Sequence, residues 1–246
     1  MSLFIQLKRS FAITKKDLSI YYLRGPVIIQ GLLIPAFMFI AFFFKRDISI
    51  VLLIPGLLGM ALFFAVSAIT PVIAPWETRM KTFERLVSSP ISLWAILLGD
   101  IIGSVLFGVL ITSIILLVSV FLLGAEIITF SLVIGTIIAA FCFSSLGILI
   151  SAPPADQPSD IMLISSLIKF PLIFISGVFV PIDQMGNLKV LAYFSPLTYY
   201  TDLARYSIEK SSQFSPCLSL TILSIFTVFL FAISLTWHKK SLSKRF

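Results

Sequence analysis

Residues 101–123 read IIGSVLFGVLITSIILLVSVFLL, a stretch without a single charged side chain. The apolar core of a membrane is about 30 Å thick and each residue of an α-helix adds about 1.5 Å along the axis, so a crossing takes about 20 apolar residues. This stretch therefore predicts a transmembrane helix. Further stretches that meet or approach this length and apolar character lie at residues 25–44, 48–74, 127–150, 161–179 and 218–237.

The composition of the whole chain supports the same interpretation. Of its 246 residues, 59% are hydrophobic and 12% are charged, whereas soluble domains have about 45–50% apolar and about 25% charged residues. With two cysteines and 24 phenylalanines, the chain is neither a disulfide-stapled scaffold nor a disordered one. We predict an all-α, polytopic integral membrane protein in which residues 1–246 form one domain with six transmembrane helices.

The distribution of lysine and arginine predicts how the spans are oriented. With six spans, the N-terminal segment, the connection 75–92 and the C-terminal tail fall on one side, and they carry most of the basic residues. Basic residues near span ends favour the cytoplasmic side, so both termini are predicted to be cytoplasmic in a multi-pass protein of the plasma membrane. We therefore interpret the net charge of +7 as the result of basic residues that orient the chain in the lipid bilayer. No nucleic-acid partner is expected.

Two segments outside the spans are predicted to be helical. Residues 1–24 place apolar side chains at helical spacing among basic residues, which is typical of an amphipathic helix in the membrane interface. Residues 180–215 are too apolar for a solvated loop and too often broken by proline and glycine for a span. Short re-entrant helices on the external side are the predicted compromise, since protein can bury their ends.

The connection 75–92 is predicted to form a short cytoplasmic amphipathic helix that begins at Pro75. A second face of this helix would hold a Glu77–Lys81 ion pair, and Pro90 would end the helix. Such a helix suits docking into a groove of a partner protein. Its helical spacing places four side chains on one stripe, Trp76, Met80, Phe83 and Val87.

Residues that could carry chemistry inside the spans are scarce. Lys169 lies within a predicted span, no predicted span holds a carboxylate to pair with it, and its role stays open. Asp100 falls at the end of a span, where water is expected to reach it. The sequence has no activated nucleophile, metal-ligand cluster or G-x-x-x-x-G-K-[ST] phosphate loop, so neither enzymatic activity nor a bound cofactor is expected. An ion- or proton-coupled carrier and a membrane-embedded lipid-modifying enzyme remain as alternatives, although both need intramembrane ionisable groups.

Two parts of the sequence resemble the signatures of a known family. The run ETRMKTFERLVSSP at 77–90, followed by Leu98 and Gly99, resembles a signature of the permeases of ATP-binding-cassette (ABC) type-2 transporters. The runs FPLIFISGVFVP at 170–181 and SPLTYYTDLAR at 195–205 are similar to the second signature of that family. The order of the runs and the number of predicted spans agree as well, so the resemblance covers essentially the whole chain.

This resemblance implies a six-span half-transporter that dimerises with a second copy or a paralogue. It also implies two ABC ATP-binding subunits, which bind ATP and Mg and power export by alternating access. Two positions depart from the family pattern, since Lys81 stands where glycine is common and Asp100 where a basic residue is common. The residues that the resemblance assigns to contact with the ATP-binding subunit are Glu77, Arg79, Thr82, Phe83, Glu84, Arg85, Ser89 and Pro90. Those that it assigns to an external gate are Ser176, Gly177, Pro181, Pro196 and Tyr199.

Overall fold

The computed structural model of the chain describes residues 3–43, 50–124, 127–155, 157–179, 182 and 185–245. These residues form eleven α-helices and no β-strand. The helices are α1 Leu3–Asp17, α2 Gly25–Phe43, α3 Ile50–Ser67, α4 Thr70–Arg79, α5 Thr82–Ser88, α6 Leu93–Leu123, α7 Phe130–Ile150, α8 Pro158–Ile175, α9 Lys189–Ala192, α10 Pro196–Glu209 and α11 Pro216–Arg245. A π-helical turn, Leu18–Tyr22, follows α1, and a 3₁₀ turn, Gly186–Leu188, precedes α9.

The long helices fit a membrane protein. Five of the described stretches are long and apolar enough to cross a membrane: Val51–Arg79, Leu93–Phe121, Phe130–Ile150, Pro158–Ile175 and Pro216–Leu242. A sixth crossing results if α2 is counted together with the helix before it. The axes of these two parts, Leu3–Tyr22 and Val27–Met38, differ by 87°. The predicted all-α, polytopic membrane fold is confirmed.

The stretch formed by α3 and α4 lies at the centre of the bundle. Within its most apolar window 83% of the residues are buried, against 28% for α8 and 17% for α11. Phe143 of α7 packs edge-on against Phe63 of α3 and Tyr200 of α10, with ring centroids 5.0 and 6.5 Å apart. Because lipid is as apolar as these rings, close packing rather than the hydrophobic effect stabilises such contacts.

One end of the bundle gathers the N-terminal helix, the chain between α4 and α6, and the end of α11. Phe83 of α5 packs in a buried cluster at the start of α6, and Leu242 of α11 packs against that cluster. His238 of α11 has its Nε2 3.0 Å from the carbonyl oxygen of Ile148, near the end of α7. We call residues 80–92 the connector, and this end of the bundle the connector end.

The central stretch breaks between α3 and α4, at Ala68 and Ile69. In a continuous helix the carbonyl oxygen of Ser67 would accept a hydrogen bond from the backbone nitrogen of residue 71, but Pro71 has no N–H. The ammonium group of Lys169 on α8 instead donates to this oxygen at 2.9 Å. The sequence left the role of Lys169 open; in the structure it satisfies a carbonyl oxygen that a proline leaves without its usual donor.

Replacing Pro71 should therefore have different effects with and without Lys169. In the Lys169→Met variant the Ser67 carbonyl loses its donor, which costs about 1–3 kcal/mol for a buried polar group, and Pro71→Ala returns an N–H near it. We expect Pro71→Ala to stabilise the Lys169→Met protein by about 1 kcal/mol more than it stabilises the native chain. Equal effects in the two backgrounds, measured by thermal unfolding in detergent, would contradict this role.

Candidate functional site

The connector does not continue a helix that starts at Pro75. Helix α4 already begins at Thr70 and runs through Pro75 to Arg79. The chain then turns at Met80 and Lys81, and α5 follows. The φ of Lys81 is 56°, which lies in the left-handed region. The prediction of a single amphipathic helix in this connection was therefore wrong in its geometry, because a turn divides the segment into two helices.

This turn separates the side chains that helical spacing had placed on one stripe. Phe83 is 1% exposed and packs with Ile96, whereas Met80 is 74% exposed at the tip of the connector. Trp76 lies further back and stacks on Tyr21, with ring centroids 6.1 Å apart. The connector therefore has a buried anchor and an exposed tip instead of one apolar face.

The structure divides the residues predicted to contact a partner into two groups. Glu77 and Phe83 point inward and are buried. The expected Glu77–Lys81 pair does not form, because Lys81 lies in the turn and Glu77 pairs with Lys16 of α1. The residues that remain exposed or partly exposed around the connector are Arg79, Thr82, Glu84, Arg85, Ser89 and Pro90.

A group of charged side chains is buried where α1, α4 and α6 meet. Lys16 Nζ forms ion pairs with Glu77 and, at 3.0 Å, with Asp17, and the carboxyl group of Asp100 lies beside that of Asp17. Asp17, Asp100 and Glu77 are 0%, 1% and 2% exposed. The expectation that water reaches Asp100 was wrong, because α6 begins at Leu93 and carries Asp100 about two turns into the helix. We call the four charged residues Lys16, Asp17, Glu77 and Asp100 the charged junction.

Helix α1 docks on the start of α6 through a polar stripe. Ser10 Oγ donates to the carbonyl oxygen of Ala95 at 2.8 Å, and Thr14 Oγ1 donates to that of Gly99 at 3.0 Å. One turn earlier, Gln6 Oε1 accepts a hydrogen bond of 2.9 Å from the backbone N–H of the residue that caps α6. The partners advance together along both helices, so α1 and the first half of α6 run parallel.

The apolar side of α1 faces away from the rest of the protein. Phe4 and Phe11 are exposed, while the polar residues of the docking stripe are buried. An amphipathic helix in a membrane interface needs an apolar side directed at lipid, and α1 has one. The interfacial position itself stays a prediction.

The close contact between α1 and α6 depends on Gly99. A Cβ atom at this position would lie 2.6 Å from the Cβ of Ile13 and 2.7 Å from the carbonyl oxygen of Ser10. At Gly103, one turn further along α6, a Cβ atom would lie 3.4 Å from the Cβ of Asp17, which is an ordinary contact. Gly99 thus lets the two backbones approach closely, as small residues commonly do between membrane helices.

The described residues that were predicted to shape an external gate lie at the end of the bundle opposite the connector. Gly177 follows α8 with a φ of 76°, and its carbonyl oxygen accepts a hydrogen bond of 2.7 Å from Arg205 Nη2 of α10. Ser176 is buried and its Oγ donates to the last turn of α8 at 2.7 Å. Pro196 is the first residue of α10, and Pro181 lies outside the described residues.

Tyr199 fixes α10 to the chain on either side of it. Its hydroxyl donates to the carbonyl oxygen of Tyr193 at 2.9 Å, and its ring lies 5.3 Å from that of Phe214. Burial raises the pKa of the Tyr199 phenol, so the hydroxyl stays a donor at neutral pH. Asp202 accepts hydrogen bonds of 2.8 and 3.1 Å from the backbone nitrogens of Gln213 and Phe214. These contacts make α10 and the start of α11 one packed unit.

A model of the ABC-2 type transporter family matches residues 1–208 of this chain. The chain belongs to the ABC-2 type transporter family. It is 27% identical over 190 residues to the "Probable multidrug ABC transporter permease YbhS" of Escherichia coli strain K12 and of strain O157:H7, covering 76% of this chain and 50% of that protein. It is 28% identical over 108 residues to "Nodulation protein J" of Rhizobium leguminosarum bv. viciae, covering 44% of this chain and 41% of that protein.

The chain spans about half the length of the curated relatives it matches. The resemblance of its sequence to the ABC type-2 transporter family is confirmed.

Sequence reasoning missed the polar face of the N-terminal helix of this protein. Gln6, Ser10, Thr14 and Asp17 recur at helical spacing on one side of α1, and this pattern was the available signal. The sequence interpretation weighed only the apolar and basic residues of the segment, and so did not foresee the contact of Lys16 and Asp17 with α4 and α6.

Asp202 and Arg205 were also missed as residues that hold α10 in place. Their signal was a pair of opposite charges three residues apart, which is helical spacing. Helical spacing alone does not reveal that the partners of these side chains are backbone groups of neighbouring segments.

Gly99→Ala should weaken the docking of α1 on α6, whereas Gly103→Ala should not. Alanine favours a helix over glycine by about 1 kcal/mol, but at position 99 its Cβ would overlap the Ser10 carbonyl, and overpacking costs about 1–3 kcal/mol. We expect Gly99→Ala to lower the Tm of the protein in detergent and to speed proteolysis within residues 1–24. Equal Tm values for the two variants would contradict the close approach at Gly99.

Proposed function

We propose that this permease is the membrane subunit of an ATP-driven exporter and that an ABC ATP-binding subunit docks on its connector. The observation that supports the proposal best is the shape of the connector, in which Met80 is 74% exposed at the tip while Phe83 anchors the base. An exposed apolar side chain flanked by Arg79 and Arg85 suits a groove with an acidic rim. The proposed coupling surface consists of the exposed tip Met80, the buried anchor Phe83 and the exposed or partly exposed residues around them, Arg79, Thr82, Glu84, Arg85, Ser89 and Pro90.

Contacts within the permease provide a route from the connector to the spans. Phe83 holds α5 to the start of α6, and Glu77 of α4 is paired with Lys16 of α1. At the other end of α4, the chain breaks at Ala68 and Ile69. We infer that α1, α4, α5 and the start of α6 move together relative to α3, with the break as the hinge of an alternating-access cycle.

The proposal places ATP and Mg on two ATP-binding subunits. None of the 12 glycines of this chain is followed by lysine, as the G-x-x-x-x-G-K-[ST] motif requires. A second permease copy or a paralogue would complete the membrane part, as the family resemblance implies. No residue of this chain is proposed to carry out covalent chemistry.

The proposed orientation puts the connector end and both termini in the cytoplasm and the protein in the plasma membrane. The meeting of α1, the connector and the end of α11 at one end of the bundle supports it, since these are the segments richest in basic residues. The opposite end would then be external, with α10 as part of an outer gate. The hydrogen bond from Arg205 to Gly177 would hold this gate closed between α8 and α10.

A pair of cysteine-labelling experiments tests the orientation. Met80→Cys, in a Cys217→Ser background, should resist a membrane-impermeant maleimide on intact cells and react with it in inside-out vesicles. Cys217 of the native chain is exposed at the start of α11 and should react on intact cells, while Cys142 is buried and should stay unlabelled. Labelling of Met80→Cys on intact cells would overturn the orientation and with it the docking proposal.

Met80→Asp should release a co-expressed ABC ATP-binding subunit from its complex with this chain. Losing a central contact in a docking groove costs about 2 kcal/mol, which weakens the Kd by about thirtyfold. Ser212→Asp is the matched control, because it adds the same charge at an exposed position of the opposite end.

Two outcomes would count against docking on the connector. One is unchanged co-purification of the ATP-binding subunit, with unchanged stimulation of its ATPase activity, by the Met80→Asp permease. The other is transport by this chain alone that follows a pH or sodium gradient, which would favour the ion-coupled carrier.

A further inference from the structure

The charged junction contains more acidic than basic groups. Asp17, Glu77 and Asp100 offer three carboxyl groups, and among the described residues the basic group that contacts them is the ammonium of Lys16. An ionised carboxylate buried this completely costs several kcal/mol unless a cation pairs with it. One ammonium group cannot neutralise three carboxylates, so we infer that the junction holds at least one proton.

The contacts within the junction distinguish Glu77 from the two aspartates. Lys16 Nζ bonds to Glu77 Oε1 and pairs with Asp17 Oδ1 at 3.0 Å, whereas the carboxyl groups of Asp17 and Asp100 face each other where α1 packs on α6. Ionised carboxyl groups only accept hydrogen bonds, so this contact is attractive only when one of the two is protonated. Within the described part of the chain, Asp17 Oδ2, Asp100 Oδ1 and Glu77 Oε2 are buried without a hydrogen-bond partner, so two of these three oxygens belong to the two aspartates.

We propose that the Asp17–Asp100 pair is a proton-binding site, in which one shared proton holds α1 against α6 beside the end of α4. The O–H of one carboxyl group donates to an oxygen of the other, and the pair keeps a single negative charge. Loss of this proton leaves two carboxylates in contact in a buried place, and their repulsion parts α1 from α6. This inference goes beyond the proposed function and does not rest on it.

Charged and titratable groups of three elements face the pair. Lys16 of α1 opposes protonation by its positive charge, while Glu77 of α4 favours it. Tyr21 and Tyr22 of the π-helical turn lie beside the junction, and the Tyr22 hydroxyl is bonded to Thr70 Oγ1 at 2.7 Å. Both phenols are neutral at physiological pH, so Lys16 and Glu77 are the charges that act on the proton.

Infrared spectroscopy tests the site directly, because protonated and ionised carboxyl groups absorb at separate frequencies. We expect the full chain, in nanodiscs of phosphatidylcholine and phosphatidylglycerol, to keep a protonated-carboxyl band at pH 8, where exposed carboxyl groups are ionised. Asp100→Asn and Asp17→Asn should each remove the band, since an asparagine amide donates the hydrogen bond without a titrating proton. Asp160→Asn, which changes an exposed acid at the start of α8, should leave it unchanged.

Two results would overturn the proposal. One is the absence of a protonated-carboxyl band from the native chain at pH 8, and the other is a band that survives both asparagine variants. If neither variant folds, selective ¹³C labelling of aspartate decides on the native chain alone. A band that shifts with this label supports the proposal, and one that does not shift belongs to glutamate and overturns it.

The pH dependence of stability provides an independent test. Between the ordinary pKa of aspartate, about 3.9, and the pH at which the pair loses its proton, the folded chain binds one proton more than the unfolded chain. Stability therefore falls as pH rises, and the unfolding equilibrium constant increases by up to about tenfold per pH unit. Asp100→Asn should flatten this dependence between pH 5 and 8, whereas an unchanged slope would overturn the proposal. Neither measurement involves an ATP-binding subunit, so failure here would leave the docking proposal standing.

Discussion

Water is absent from the region in which most of this membrane protein folds, so each buried carbonyl oxygen and each buried charge must find its partner within the protein. Pro71 removes a backbone donor from the central helix, and Lys169, 102 residues away from the Ser67 carbonyl, supplies another. The docking of α1 obeys the same constraint, since Ser10 and Thr14 turn toward carbonyl oxygens of α6 while the apolar side of α1 faces outward. Polar contacts, few in number, thus decide which helices stay together.

This constraint separates contacts that can slide from contacts that cannot. The rings of Phe63, Phe143 and Tyr200 are held together mainly by close packing, because lipid would surround them with an equally apolar environment. Such surfaces can therefore shift relative to one another. The pair of Lys16 and Glu77 cannot part without leaving a buried charge alone. Movement of the connector is therefore expected to carry α4 and α1 together and to be taken up at the break before Thr70.

The spans could be predicted from the sequence because the same constraint requires long apolar helices. The prediction 127–150 corresponds to α7 at Phe130–Ile150, and the prediction 161–179 to α8 at Pro158–Ile175. The connector and the charged junction could not be predicted in the same way. Helical spacing assumes a continuous helix, whereas a turn breaks it here. The environment of Asp100 depends on a segment more than 80 residues earlier in the chain, which no local pattern reveals.

Lys81 shows how one backbone position determines the proposed docking surface. The left-handed conformation costs a non-glycine residue about 1–2 kcal/mol, and the family resemblance implies that glycine, which adopts it freely, is common at this position. A straight helix through this position would place Met80 and Phe83 on the same face, since residues three apart are neighbours on a helix, and burying one would then bury the other. The turn lets Phe83 anchor α5 while Met80 projects. Exposure of Met80 at the tip therefore requires the left-handed conformation at position 81. Lysine adopts this conformation and adds a positive charge beside Arg79.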